Sequence, residues 1–271
     1  MRWLRDMWTK EGPGIPKDAA KKHGLALFAD IICREWWEMV KLNLLFILAS
    51  LPIVTIPGAL AAMASVSVAL VEDRNVYLGR DFCAAFRKYL WQATMAGFIM
   101  SSAIALGIYA TVTYASLATG ELVFAVPLAI SLAVTVFICV LACHDLVLMV
   151  MRDLPFGQRV RLAALASLAH PLPAIGAIGF GAALWLVHIL LYPISVFMPA
   201  TLNFSLGMFA VTFGVHRAAV ESLSKVTSMR TSRESGAGAV ARRSMNANGG
   251  SLRCIRIQSP GYSSESLPRS P

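Results

Sequence analysis

Charge is scarce in this sequence. Lysine, arginine, aspartate and glutamate make up 14% of the 271 residues, against 57% hydrophobic residues, well below the charge of a soluble domain. A water-soluble globular fold is excluded, and a mean hydropathy of +0.64 reads as a membrane protein. Residues 1–40 lack a continuous apolar stretch and carry charge throughout, so no cleavable leader is expected and the spans themselves must target the chain. The cysteines, Cys33, Cys83, Cys139, Cys143 and Cys254, form no C-x-x-C pair and no disulfide framework. They read as small apolar residues or free thiols. A serine-nucleophile motif, a P-loop, an H-E-x-x-H pair and a dinucleotide fingerprint are also missing. No catalytic residue, cofactor or metal ligand is nominated, and the chain is not expected to be an enzyme.

The formal charge is nevertheless +9, which would suit nucleic acid if it were clustered on one face. Its placement excludes that partner. Every lysine and arginine lies before residue 42, between Arg74 and Lys88, between Arg152 and Arg161, or from Arg217 onward. The connections around residues 118–122 and 197–201 contain none. This is the positive-inside pattern, and it predicts that both termini are cytoplasmic.

Apolar runs cover about Val40–Val71, Ala93–Leu117, Leu122–Met151, Pro173–Met198 and Pro199–Val220. The last four match the roughly 20 residues that cross a hydrocarbon core of about 30 Å. The first run is too long for one crossing, since as a straight helix it would reach about 48 Å, and Pro52 and Pro57 interrupt it. If it crossed once, the basic N-terminal region would face away from the other three. A turn near residues 52–58 reconciles all four. The run therefore reads as a hairpin or a re-entrant segment, with one kinked crossing as the alternative. The predicted fold is all-α: a polytopic bundle of four clear spanning helices plus this Pro-broken segment, with five to six transmembrane segments.

Around that core, residues 1–39 form an N-terminal region, 40–221 the membrane domain and 222–271 a tail. Leu25, Phe28, Ile32, Trp36 and Met39 recur at three- and four-residue steps, with Asp30, Arg34, Glu38 and Lys41 on the other face. This predicts one amphipathic helix lying along the membrane surface, its Trp36 and Trp37 at headgroup level. The Ser-, Arg- and Gly-rich tail has too little apolar surface to order itself. Small residues at Gly58, Ala62, Ser65 and Ala69, and at Gly176, Gly179 and Gly181, predict faces where helices approach closely.

The stretch "LNLLFILASLPIVTIPGALAAM", followed by "FCAAFRKYLWQATMAGFI", resembles the YesL-like family of bacterial integral membrane proteins of unknown function. The matching residues include Asn43, Leu51, Pro52, Thr55, Phe82, Phe86 and Arg87. The resemblance implies a multi-pass protein of the bacterial plasma membrane, often encoded beside genes of sugar uptake, with no established activity.

Ionisable residues inside membrane segments are functional candidates by default, and here they are His144, Asp145 and His188, with Arg217 as a possible counter-charge. Asp145 is expected to form an ion pair near the basic end of its helix, with Arg217, Arg152 or Arg161. His144 points about 100° away from Asp145, which disfavours an acid–base couple, and His188 lies toward the opposite end. The two functional classes left open are an accessory or scaffold protein linked to carbohydrate uptake and a small transporter or channel using the broken first segment. Expected partners are the lipid bilayer and a sugar-transport system or another membrane protein.

Overall fold

The computed structural model describes residues 24–225; the expectations for residues 1–23, for Cys254 and for most of the tail lie outside them. The structure is 87% helical, with no strand among the described residues. One compact unit runs to Leu223 and a second begins at Ser224; the first is described here. It contains α1 (Leu25–Arg34), α2 (Trp36–Ala49), α3 (Ile56–Val71), α4 (Leu78–Ala118), α5 (Ala125–Met151), α6 (Phe156–Ala169) and α7 (Pro171–Leu190). A π turn, Pro199–Asn203, leads into α8, helical from 204 to 225.

Among the described residues, four helical segments are long and apolar enough to span a membrane: Ile53–Val71, Leu78–Ala118, Leu122–Met151 and Pro171–Leu190. Ile53–Val71, the second arm of the broken run, takes the place expected for Pro199–Val220. There the π turn occupies the start, and His216, Arg217 and Glu221 polarise the far end.

The broken run is a helical hairpin. Pro52 has no N–H to continue α2, and the chain passes through a single 3-10 turn at Ile53–Thr55. The Thr55 hydroxyl donates to the carbonyls of Ala49 and Pro52, each at 2.6 Å, so groups freed by the break are hydrogen-bonded in place. At the open end α3 stops where Asp73 adopts a left-handed conformation (φ 53°), with Arg74 N bonded to Ala69 O at 2.9 Å, a Schellman-type closure. Asp73 then meets Arg34 at 2.5 Å, which ties the end of α1, just before α2 begins, to the end of α3.

Pro57 and Gly58, expected to belong to the break, instead begin α3. Proline fits the first helical turn, where its missing donor has no intrahelical role. Gly58 and Gly97 are where α3 and α4 cross. A Cβ at Gly58 would lie 2.6 Å from Leu90 Cδ1, and one at Gly97 would lie 2.7 Å from Pro57 Cβ. Only glycine allows that approach. The glycines of α7 act differently from expectation: added Cβ atoms at Gly176, Gly179 and Gly181 meet nothing within 4 Å. The tight contact on α7 is made by Gly214 of α8, where a Cβ would come 2.8 Å from the Pro173 carbonyl.

The predicted amphipathic helix is two helices. The chain bends at Glu35, so Trp36 and Trp37 open α2. Phe28 of α1 faces the bundle, not a membrane surface, with ring centroids 5.6, 5.4 and 5.3 Å from those of Phe180, Phe209 and Phe213. That aromatic packing fixes α1 on α7 and α8.

The core is continuous from α1 to α4. Met39, Leu42 and Phe46 of α2 interlock with Ala59, Ala62 and Met63 of α3, and Phe82 and Tyr89 of α4 close the other side. A second cluster joins Val68 of α3 with Val147 and Leu148 of α5, Ala163 of α6, Ala174 of α7 and Val215 of α8. α4 has 41 residues, about 60 Å of helix. Its first half carries the F-x-x-x-F-R segment, which is continuous with the expected span over Ala93–Leu117. Its second half pairs with the start of α5 and leaves Phe98, Leu106, Tyr109, Val126 and Ile130 exposed, as suits a lipid-facing surface.

Candidate functional site

Two polar assemblies lie inside these apolar helices. The first is built on Asn43, midway along α2 and with no exposed surface. Its amide nitrogen donates to the carbonyls of Pro199 and Ala200 at 2.9 and 2.7 Å. Its amide oxygen accepts from the N–H groups of Phe204 and Ser205 at 3.1 and 3.0 Å. A π turn shifts the backbone ladder out of its α register, and one asparagine carries bonds to two carbonyls and two amides on that turn. In an apolar setting each such group left bare would cost about 1–3 kcal/mol. Asn43 lies in the arm that leads to the break at Pro52, yet the break it serves is the one at Pro199.

The second assembly joins α5 to α6. Asp145 accepts from Arg159 through both oxygens, Nε to Oδ1 at 2.8 Å and Nη2 to Oδ2 at 3.2 Å. The side chains are 4% and 0% exposed. The fork of the guanidinium matches the carboxylate. Arg159 also lies over the Phe156 ring, 5.4 Å from its centroid, a cation–π contact one turn away. Beside it His144 Nδ1 is 2.9 Å from the Val140 carbonyl and 3.2 Å from Ser167 Oγ, while the Ser167 hydroxyl donates to Ala163 O at 2.7 Å. A carbonyl only accepts, so Nδ1 carries a hydrogen in the contact with Val140. His144 Nε2 and Arg159 Nη1 are buried without a hydrogen-bond partner.

The ion pair expected for Asp145 exists, but none of the three arginines named for it is its partner. Arg159 lies in the basic stretch between two expected spans, and that stretch is largely helical, with Pro155 at the N-cap of α6. A signal for it was present: Arg159, Ala163, Ala166 and Ser167, all buried, recur at helical steps. Arg217 is 91% exposed and pairs with Glu221 at 3.3 Å, so it belongs to the surface. His144 and Asp145 make separate sets of bonds. His188 is far along the chain from both and locks its own turn: Nδ1 lies 3.0 Å from Ser195 O and 3.1 Å from Ser195 Oγ, and that hydroxyl donates to His188 O at 2.8 Å. With its hydrogen directed to a carbonyl, Nδ1 is no base for the serine.

The other motif residues divide by burial. Phe82 is buried and stacks on Phe86, with centroids 6.4 Å apart, whereas Leu51, Pro52 and Arg87 are exposed. Cys33 and Cys83 are exposed, Cys139 and Cys143 half-buried, and all four are free thiols. Among the described residues no group of three or more His, Cys, Asp or Glu side chains is placed to hold a metal ion.

A domain described as "Protein of unknown function, DUF624" is found at residues 39–110. It covers the Asn43 arm, the hairpin turn, α3 and most of α4. It does not reach Pro199, Asp145 or Arg159. No curated protein and no solved structure matches the chain.

Proposed function

We propose that this chain is a non-enzymatic accessory or scaffold protein of a bacterial plasma membrane, of the YesL-like kind, with both termini cytoplasmic and a partner in a sugar-transport system. The observation that carries this reading is the use of the intramembrane polar side chains. Asn43 bonds a remote turn four times, Asp145 is neutralised in a two-pronged pair, and His188 holds a local turn. Groups engaged in joining segments suit a protein whose product is a shape. The exposed Trp36 and Trp37 at the start of α2 offer the aromatic surface that interface cores favour, and the sugar-uptake setting comes from the YesL-like resemblance.

A second reading, a small transporter or channel, has its own observation. Asn203 stands in the π turn, is 2% exposed, and has both amide atoms unpartnered. Discontinuous helices with polar groups are where transporters bind substrate. The two readings separate in one experiment. Affinity purification of the tagged full chain should bring down a sugar-transport complex, and the purified chain in liposomes should show no sugar or ion flux. Flux abolished by Asn203→Leu, without loss of helicity, would replace the scaffold by the transporter.

A further inference from the structure

The α2–α3 hairpin reaches only part of the way along α4. Pro57, at the start of α3, packs on Gly97 of α4, and Gly58 packs on Leu90. Beyond Gly97, α4 continues for 21 residues to Ala118, about 31 Å of helix, which is the thickness of one hydrocarbon core. The whole of α4 does not fit that core. Even at a tilt of about 40° its 41 residues would rise about 47 Å, so one end stands outside.

Charge and exposure decide which end. Arg80, Asp81, Arg87 and Lys88 all lie in the first part of α4, and nothing charged follows before Glu121. In the far part Phe98, Leu106, Tyr109 and Val112 are exposed, beside Val126 and Ile130 of α5. If the hairpin turn stood at the far surface, this apolar pair of helices would project into water. The far part of α4 therefore crosses the core, and Lys88, paired with Asp153 at 3.0 Å, marks the near headgroup layer, where long basic side chains keep their charge. Gly97 is nine residues past Lys88, about 13 Å. α2 gives the same depth independently. Its last charge is Lys41, nine residues before the Ser50 that ends it, again about 13 Å. Past Lys41, the side chains of Leu44, Leu48, Leu51, Ile53 and Val54 are exposed. Both depths are close to one leaflet's share of the core, about 15 Å.

We propose that the α2–α3 hairpin is a re-entrant wedge: it enters the leaflet on the side of Lys41 and Lys88, ends near the bilayer midplane, and presents Leu48, Leu51, Ile53 and Val54 to the acyl chains there. α4 and α5 cross the bilayer beside it. Ile53–Val71 is long enough to span, but most of α3 is covered by the bundle, with Ala59, Ala61, Ala62, Met63 and Ala64 wholly buried, so its apolar composition serves the core. The turn meets the condition on which lipid tolerates a broken helix. It packs on α4 at Gly97, and the Thr55 hydroxyl serves the carbonyls of Ala49 and Pro52. The wedge is independent of which side of the membrane is cytoplasmic.

The test places a fluorescent amino acid at Ile53, or at Gly120 beyond the end of α4, in the otherwise unchanged full chain. Ile53 is 80% exposed, and a Cβ at Gly120 comes no nearer than 3.6 Å to the Leu117 carbonyl, so both positions accept the reporter. The chain is reconstituted in phosphatidylcholine and phosphatidylglycerol vesicles with iodide on both sides, or with lipids brominated near the acyl terminus. The Gly120 reporter should be quenched by iodide and the Ile53 reporter by the brominated lipid, with iodide quenching at Ile53 at least about tenfold weaker, because hydrocarbon excludes an anion. Equal iodide quenching at the two positions would put the turn in water and overturn the proposal. Weak quenching of Ile53 by both agents would mean that protein covers the turn, and would overturn it too. If the Ile53 variant fails to fold, the same reporter at Val54, 73% exposed, decides.

Discussion

Arg159→Met should be more damaging than replacing both members of its ion pair. The single change leaves the Asp145 carboxylate, 3% exposed, facing apolar side chains with neither of its two N–H donors. Breaking a buried pair by removing one partner costs about 3–5 kcal/mol, whereas exchanging both members for apolar residues of similar volume is close to neutral or stabilising. The double variant Asp145→Leu/Arg159→Met should therefore regain most of what the single one loses. For a unit of this size each kcal/mol moves the melting temperature by about 2–4 °C, so Arg159→Met is expected to melt some 6–20 °C below the wild type. Thermal unfolding of the detergent-purified full chain, followed by circular dichroism and completed as a double-mutant cycle with Asp145→Leu, measures the coupling. If Arg159→Met were no less stable than the double variant, the pair would not be the buried, mutually compensating unit its geometry describes.

Three further outcomes follow from close contacts. Asn43→Leu removes both the donors to Pro199 and Ala200 and the acceptor of the Phe204 and Ser205 N–H groups; hydrogen exchange at the amides of Phe204 and Ser205 should accelerate by tenfold or more, given about 1–3 kcal/mol per orphaned group. Gly97→Leu forces a Cβ to 2.7 Å from Pro57 and should cost about 1–3 kcal/mol as overpacking, while Gly179→Ala, which meets nothing, should stay within about 0.5 kcal/mol; paired melting curves would show the contrast. Thr55→Val deletes the hydroxyl whose one hydrogen is shared between the carbonyls of Ala49 and Pro52, worth about 0.5–1.5 kcal/mol in all, and protease cleavage at the hairpin turn should report its loosening.

Much of this fold was legible because in lipid the constraints are few. Length and the four basic regions favoured a Val40–Val71 run that turns back over one kinked crossing, and Arg34 does meet Asp73. Pro52 was readable as a breaker, but Pro57 was not readable as a helix start, because the same ring is favourable at a first turn and harmful further in. The bend at Glu35 left no mark in a periodicity that runs through it. Asp145 was visible as a buried charge; its partner was hidden because α6 mixes Gln158, Arg159 and Arg161 with alanines and looks like loop from its charge alone. Asn43 posed the harder case. An amide in an apolar run signals that something must bond it, and nothing local to the run says that the partner lies 156 residues away.

That distance bears on how self-sufficient the segment at residues 39–110 is. Within it the hairpin has its turn held by Thr55 and its crossing set by Gly58 and Gly97, yet the Asn43 amide finds its bonds only on the turn that opens α8. A chain ending after Leu190 keeps α2 through α7 and leaves that amide with two donor hydrogens and an acceptor oxygen facing the space vacated by Leu202 and Phe209, both members of the same core. Each bare polar group costs about 1–3 kcal/mol, and the loss of those two apolar side chains adds about 2–5 kcal/mol apiece if treated as truncations, so the deficit matches or exceeds the 5–15 kcal/mol that ordinarily separates folded from unfolded. The truncated chain is expected to reach the membrane and be degraded there, and co-expression of residues 191–271 should restore protease resistance by supplying the turn in trans. Wild-type resistance of the truncated chain on its own would mean that Asn43 is satisfied without α8.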